Sequence, residues 1–259
     1  MATIIIPLPD ANDEAGVGPD ESPLYTFPLW GRSVFAYVVG GFARCFASHR
    51  FVFVLAPEAS GEAQSFAIDE CSRLGVNRAQ VIPCSAPSGT IDQLITALRV
   101  AGVASQESIV VADADTLRPG FRIDSRSLGS VGDAFVEVVP RVAASPAGVQ
   151  LDEQGSRVLR ISASDSDSSL SATGLYGFAS RVVFEHAVAM SRETVVGEQA
   201  PLVGVISALL ARGAPVRPLV ADPTSRLACG SAGAYDSLRT QQPPLLLPDH
   251  GIWPQRRVG

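Results

Sequence analysis

The stretch Ile109-Val110-Val111-Ala112-Asp113-Ala114-Asp115 predicts the centre of the fold. Its first four residues are apolar or small and three of them are β-branched, which indicates a strand buried on both faces. Ligands of open α/β sheets bind at the carboxyl ends of strands, where Asp113 and Asp115 stand. Their oxygens suit Mg²⁺ or Mn²⁺ holding a diphosphate. The alternative is that the two aspartates only end the strand and cap the next turn.

The composition excludes several classes of function. The chain has 259 residues, 46% of them hydrophobic, which suits one large α/β domain with or without a small appendage. The formal net charge is −6 and no basic stripe is visible, so a nucleic acid is not an expected partner. All 20 cationic residues are arginine, which excludes a mechanism that depends on lysine, such as a Schiff base.

The cysteines and the apolar runs indicate the cellular compartment that we expect for this chain. The cysteines are widely spaced, without a C-x-x-C pair, so we expect buried, reduced thiols and no zinc site. They are Cys45, Cys71, Cys84 and Cys229. The first residues lack the basic region of a signal peptide, and no apolar run reaches the length of a membrane span. We therefore expect a cytoplasmic protein.

Strand and helix signals alternate through the first half of the chain. Strands are predicted at 3–7, 50–56, 80–83 and 109–115, and helices from Ser33, at 60–74 and at 90–103. This β-α-β order predicts a mostly parallel sheet with helices on both faces, a three-layer α/β sandwich. Residues 8–29 form a long polar stretch, which is typical of a functional loop or of disorder.

The second half adds a hairpin and further helices. Strands are predicted at 134–139, 148–151, 157–162, 173–179 and 215–220. Helices are predicted after Ser180, at 201–212 and at 231–239. We expect one α/β domain over residues 1–240, followed by a Pro-rich tail at 241–259. The helix at 201–210 and the tail would suit a homodimer or a contact with a partner enzyme.

Several segments, in this order, resemble the sugar-nucleotide nucleotidyltransferases, particularly those of capsule and surface-polysaccharide pathways. The segments are Ile4-Ile5-Ile6-Pro7, Phe27-Pro28-Leu29-Trp30-Gly31-Arg32-Ser33-Val34, Ser88-Gly89-Thr90, Asp113, Thr173-Gly174-Leu175-Tyr176-Gly177-Phe178 and Gly197-Glu198. The resemblance implies a Rossmann-like sheet of the nucleotidyltransferase or GT-A glycosyltransferase type with a small β-hairpin extension.

The resemblance also implies roles for particular residues. Nucleotide contacts would fall on Pro7, Leu8, Ser88, Gly89 and Thr90, and sugar contacts on Gly174, Tyr176 and Glu198. Asp113 would bind Mg²⁺, with Asp115 as a second ligand, and would be catalytic together with Arg32, which stands in for a family lysine. The implied ligands are a nucleotide or nucleotide sugar and a sugar phosphate.

The chain departs from the family pattern at four places. The family's Gly-rich phosphate loop is replaced by Pro7-Leu8-Pro9-Asp10-Ala11-Asn12-Asp13-Glu14, whose carboxylates would repel phosphate. Phe27 replaces a lysine, residues 160–168 lack a Glu-Lys pair, and a late metal-binding aspartate falls near Ala228. Phosphoryl-type transfer depends on such charge neutralisation.

Three functions stay open at this stage. The chain is a Mg²⁺-dependent nucleotidyltransferase of polysaccharide or glycoconjugate biosynthesis, or a GT-A-fold glycosyltransferase that uses Asp113 and Asp115. Alternatively it is a catalytically impaired relative that serves as a binding or regulatory subunit. A glycosyltransferase binds a finished nucleotide sugar and needs no triphosphate loop, whereas the missing lysines favour the impaired relative.

Overall fold

The structure is a computed structural model of the chain. It describes residues 1–9, 22–56, 61–84, 90–121, 123, 132–141, 147–163, 167–194 and 202–241. The helices are α1 (Val34–Gly40), α2 (Gly61–Leu74), α3 (Thr90–Val100), α4 (Arg181–Thr194), α5 (Leu202–Ala211) and α6 (Ala232–Thr240). Among the described helices, none has the length and apolar character needed to cross a bilayer.

The strands are mostly short. In chain order they are β1 (Ala2–Leu8), β2 (Pro28–Leu29), β3 (Arg32–Ser33), β4 (Arg50–Leu55), β5 (Ala79–Pro83), β6 (Ser108–Ala112), β7 (Thr116–Leu117), β8 (Ala134–Pro140), β9 (Gly148–Leu151), β10 (Val158–Ser162), β11 (Leu170–Phe178), β12 (Val216–Val220) and β13 (Leu227–Ala228).

The chain divides into two compact units whose segments alternate along the sequence. The first unit comprises Met1–Ile5, Ala86–Ala112 and Asp124–Pro223. The second unit comprises Ile6–Ser85, Asp113–Ile123 and Thr224–Gly259. One of the boundaries falls between Ala112 and Asp113, directly after β6.

In the first unit, β6 is paired on both edges. It runs parallel to β1, with Val110 opposite Ile4, and antiparallel to β11, with Val110 opposite Gly177. Strand β11 also pairs antiparallel with β8 and, at its start, with β9. Strand β12 runs parallel to β8, and β10 forms the predicted hairpin with β9. The result is a mixed sheet in which β6 is central.

In the second unit, β4 and β5 pair in parallel and an aromatic cluster packs beside them. The rings of Phe35 and Phe53 lie 5.1 Å apart between centroids, and those of Phe42 and Phe121 lie 5.0 Å apart. Such tilted and edge-on pairs stabilise a core beyond the area that they bury. All four phenylalanines are buried.

Sheet pairing joins nine strands and confirms the predicted α/β fold class. The order is β10-β9-β11-β6-β1-β4-β5, with β8 beside β11 and β12 beside β8. The four residues Ile109, Val110, Val111 and Ala112 are fully buried, as the apolar run predicts. The strand ends at Ala112, so the predicted end at Asp115 was three residues too late.

The capping serines Ser33 and Ser180 were predicted correctly, and Ser231, predicted as the first residue of a helix, is the cap of that helix. The hydroxyls of Ser33, Ser180 and Ser231 each accept a hydrogen bond from the backbone N–H three residues later, at 3.1 to 3.2 Å. Gly75 and Gly213 follow α2 and α5 with a φ of +75° each, the left-handed conformation that ends helices.

A β-hairpin at residues 28–33 begins at the end of the predicted loop at 8–29. Strands β2 and β3 pair across Trp30 and Gly31, whose φ angles are +46° and +88°. Two positive φ angles form the turn that matches strand twist, but this turn favours Asn-Gly, so Trp-Gly gave no hairpin signal. Contacts with Tyr37 hold Trp30 in this conformation: the tyrosine hydroxyl donates to the Trp30 carbonyl oxygen at 3.0 Å, and the rings lie 5.5 Å apart.

We expect Gly177→Ala to destabilise the fold by about 1–3 kcal/mol, because the new Cβ would overlap the buried ring of Phe135 on β8. Gly61→Ala is the control, since a Cβ at the start of α2 meets nothing within 4 Å and alanine favours the helix. Urea unfolding measures both changes. Equal midpoints for the two variants would contradict the tight packing between β8 and β11.

Candidate active site

An acidic connection follows β6 and begins with Asp113, the first residue of a segment of the second unit. Asp113 directly follows Ala112, and the side chains of Asp113 and Asp115 are each half-buried on either side of the buried Ala114. The chain then forms β7, so the two acids lie in a short connection between two strands. This is the position at which ligands of α/β sheets bind.

A segment more than a hundred residues later holds this connection in place. Strand β13 pairs antiparallel with β7, with Ala228 opposite Thr116. The backbone N–H and the thiol of Cys229 both donate to the carbonyl oxygen of Asp115, at 2.8 and 2.9 Å. The segment Leu227–Ser231 therefore lies against the acidic connection. This is the segment in which the resembled family places a second metal-binding aspartate.

Two neighbours constrain the carboxyl group of Asp115. Its Oδ1 accepts a hydrogen bond from the Thr116 hydroxyl at 3.1 Å, and its Oδ2 lies where a Cβ on Gly230 would be. Burial raises the pKa of Asp115, while the Thr116 hydrogen bond and the charge of Arg118 act in the opposite direction. Asp115 is thus packed against the protein itself, in an environment that disfavours its charged form.

Arg118 is a functional candidate that the sequence did not single out. Its side chain is fully buried, and a guanidinium nitrogen donates to the Thr116 carbonyl oxygen at 3.1 Å. The backbone of Arg118 also packs closely against Gly41: a Cβ on that glycine would lie 2.7 Å from the Arg118 carbonyl oxygen. Buried arginines require partners, so Arg118 braces the turn that carries Asp115. The sequence around Arg118, Thr116-Leu117-Arg118-Pro119-Gly120-Phe121, gives no local signal that this arginine is buried.

The carboxylates at this site would suit Mg²⁺ if substrate phosphates supplied the remaining ligands of the ion. Among the described residues no group of three or more His, Cys, Asp or Glu side chains gathers to hold a metal. Mg²⁺ is often held by one or two carboxylates together with substrate phosphates, so a single acid at the end of a strand can provide the protein ligand. The oxygens of Asp115 face Thr116 and Gly230, so the packing around Asp115 leaves little room for a metal ion at its carboxyl group.

The other predicted nucleotide-binding and catalytic residues are spread over several elements. Pro7 and Leu8 are the last residues of β1, which extends one residue beyond the predicted strand. Arg32 is exposed on β3. Burial raises the pKa of Tyr37 to about 12, and the charge of Arg32 acts in the opposite direction. Thr90 begins α3, and nothing is described of its side chain. Ser88, Gly89 and Glu198 lie outside the described residues.

The two described sugar-site candidates lie on β11 in the first unit. Gly174 is half-buried, has a φ of +81° and sits where the pairing of β11 with β8 shifts register. Tyr176 follows it and is buried, opposite Val111 of β6. The structure thus brings these two together, while the assignment of both to sugar binding remains a prediction.

The four cysteines are buried and free, as the sequence predicted. Burial raises the pKa of Cys45 to about 11 and that of Cys71 to about 12. Burial also raises the pKa of Cys229, and the neighbouring Asp115 raises it further. The thiol of Cys229 is therefore protonated at neutral pH, which is the form that donates to the Asp115 carbonyl oxygen.

Solved structures that share the fold include a sugar-nucleotide pyrophosphorylase and two further proteins named as nucleotidyltransferases. Neither a protein-family model nor a curated protein sequence matches the chain. The nucleoside-diphosphate-sugar pyrophosphorylase of Vibrio cholerae RC9 superposes with a TM-score of 0.80 at 21% identity, over 92% of this chain and 100% of that one.

Two further structures share the fold at lower identity. The inositol-1-phosphate CTP transferase of T. maritima has a TM-score of 0.64 at 15% identity, over 93% of this chain and 97% of its own. A Bacillus anthracis protein assigned as a glucose-1-phosphate thymidylyltransferase, solved with sucrose, has a TM-score of 0.68 at 15% identity, over 92% and 94%. The chain therefore has the fold of the sugar-nucleotide nucleotidyltransferases, as the sequence motifs indicated.

We expect Gly230→Ala to disrupt the acidic connection, because its Cβ would collide with Oδ2 of Asp115. The cost should be about 1–3 kcal/mol of folding stability, as for other overpacked sites. Gly233→Ala is a matched control three residues later in α6, where a Cβ meets nothing within 4 Å. Thermal melts of both variants test the contact, and a Gly230→Ala protein as stable as Gly233→Ala would disprove it.

Asp115→Asn should stabilise the protein more at about pH 7 than at about pH 4. Because burial raises the pKa of Asp115 above 3.8, its contribution to stability is full below that value and is lost as the pH rises through the folded-state pKa. Asparagine stays neutral and keeps an oxygen for Thr116. Melting temperatures of the variant and the parent protein at both pH values measure this, and a pH-independent difference would contradict it.

Proposed function

We propose that this chain is a nucleotidyltransferase-like protein that binds a nucleotide and a sugar phosphate and transfers a nucleotidyl group between them. One observation carries the proposal. Asp113 lies, half-buried, at the carboxyl end of the central strand of a nucleotidyltransferase fold. By their names, the three structural neighbours act on nucleoside-diphosphate sugars, inositol 1-phosphate and glucose 1-phosphate.

Asp113 is the residue that would hold the divalent ion in this proposal. When bound, Mg²⁺ neutralises charge on the reacting phosphates, which is the main requirement of nucleotidyl transfer. Arg32 is the proposed cation in place of the family lysine, and Pro7 and Leu8 at the end of β1 are proposed to lie beside the nucleotide. Gly174 and Tyr176 are proposed to face the sugar, in a pathway of polysaccharide or glycoconjugate biosynthesis.

The geometry around Asp115 supports a second candidate function. Asp115 is packed against Gly230, and the position at which the resembled family has another acid is the exposed Ala228. The chain also contains no lysine. With one well-placed carboxylate and fewer cations, the site suits a catalytically impaired relative that binds the same ligands. The same packing counts against a glycosyltransferase that needs both Asp113 and Asp115 on the metal.

We expect Asp113→Asn to weaken Mg²⁺-dependent nucleotide binding at least tenfold, which is about 1.4 kcal/mol. Calorimetric titration with UTP, dTTP, CTP and GTP, and with the matching nucleoside-diphosphate glucoses, measures the effect with and without Mg²⁺. Asp236→Asn is the control, because Asp236 is an exposed acid on α6 whose ion pair is with Arg239. Equal affinities of the two variants would remove Asp113 from the proposed site.

Turnover separates the two candidate functions. Diphosphate release from a bound nucleoside triphosphate and glucose 1-phosphate is expected for the nucleotidyltransferase and should stop in Asp113→Asn. Binding without diphosphate release, under the same conditions, would support the impaired relative. Mg²⁺-dependent binding confined to nucleotide sugars, with no affinity for triphosphates, would instead favour the glycosyltransferase.

A further inference from the structure

A buried carboxyl group lies inside the sheet of the first unit. Glu137, in the middle of β8, is completely buried, and the neighbouring strand residues Val136 and Val138 are apolar and buried. The hydroxyl of Thr173 on β11 donates a short hydrogen bond to Oε2 of Glu137. An acid in a sheet interior costs free energy unless it is hydrogen-bonded, and the Thr173 hydroxyl provides one such hydrogen bond.

The pairing lies at a break in the ladder between β8 and β11. Ala172 pairs with Val138 and the next pair is Tyr176 with Val136, so Thr173, Gly174 and Leu175 of β11 all stand opposite Glu137. Such a bulge bends a strand and re-aims its residues, and bulges are over-represented beside active sites. The Glu137 side chain therefore contacts the bulge itself.

The bulge is also where β11 becomes accessible from outside. Thr173 and Gly174 are half-buried, whereas Ser171 and Ala172 before them and Leu175 after them are buried. Gly174 has a φ of +81°, which few residues with a Cβ adopt, and it presents bare backbone. A glycine at such a place allows a ligand to approach the strand closely.

We propose that Glu137 is a positioning residue for sugar binding, which acts through the Thr173 hydroxyl to fix the backbone of Gly174. The inference rests on the proposed function, in which the Gly174 bulge faces the sugar. Apolar groups of the same shape can often replace a buried hydrogen-bonded pair at little cost in stability, so we assign this carboxyl group a role in positioning. The ligand portion concerned is the hydroxyl-bearing ring of a sugar phosphate, not the nucleotide.

Two pairs of variants test the contact from both ends. Thr173→Val and Glu137→Met keep size and remove the hydrogen bond, whereas Thr173→Ser and Glu137→Gln keep a donor and an acceptor. Calorimetry measures the affinity for glucose 1-phosphate, for each nucleoside triphosphate named above and for its nucleoside-diphosphate glucose. We expect the first pair to bind the two sugar ligands about tenfold more weakly and the triphosphate within twofold of the parent protein, and the second pair to retain sugar binding.

Ser171→Ala is the matched control on the same strand. Ser171 is buried and its hydroxyl has no hydrogen-bond partner in the described structure, so its removal should leave all affinities unchanged. Unchanged sugar affinity in Thr173→Val, or equal loss of triphosphate and sugar ligands, would overturn the inference and leave the proposed function intact. A parent protein that binds none of these ligands would overturn both.

If Glu137→Met fails to fold, Thr173→Val decides the matter, because Thr173 is half-buried and valine has nearly its shape. A merely structural role predicts a lower melting temperature with all affinities reduced alike. The positioning role predicts a change in the ratio of sugar-ligand affinity to triphosphate affinity. A loss of folding stability alone would leave that ratio unchanged.

Discussion

Hydrogen bonding of β6 on both edges is the constraint on which the rest of the structure depends. With β1 on one side and β11 on the other, every residue from Ile109 to Ala112 is committed to the ladder and to the interior. A charged residue within this strand would be buried without water, at high cost. The first acid can stand only where the pairing ends, and that is Asp113.

The segment Leu227–Ser231 then determines what the acids can do. Strand β13 and the two donors of Cys229 fasten the backbone at Asp115, and Gly230 leaves only enough room for the carboxyl group that lies against it. Asp115, two residues after Asp113, is therefore held by contacts within the protein itself. The surroundings of Asp115 are those of a structural residue, and Asp113 is the acid to which we assign the proposed ligand-binding role.

Local signals were sufficient to predict most of the fold. The apolar run before Asp113, the capping serines and the helix-ending glycines depend on neighbours within a few residues, and the sequence contains those neighbours. The hairpin at Trp30 was missed because its turn uses a residue that rarely adopts positive φ. Its conformation is held by contacts that appear only after folding.

The site was less predictable because its chemistry depends on distant pairings. Nothing near Glu137 in the sequence indicates a bulge, which arises only when β8 and β11 are aligned. Likewise Arg118 is an ordinary surface residue type until folding buries it, and the partner of Asp115 comes from residue 229. The sequence predicted that acids stand at the end of the central strand, but only the register between strands shows which groups surround Asp115.

The contacts between the Trp30 hairpin and α6 make the fluorescence of Trp30 a reporter of local unfolding. The indole Nε1 donates to the carbonyl oxygen of Gln241 at 3.0 Å, directly after α6, and Tyr235 of that helix donates to the Pro28 carbonyl oxygen at 2.6 Å. The chain has two tryptophans, the other being Trp253. With Trp253 replaced by phenylalanine, emission would come from Trp30 alone, and a red shift would signal that α6 had released the hairpin before global unfolding.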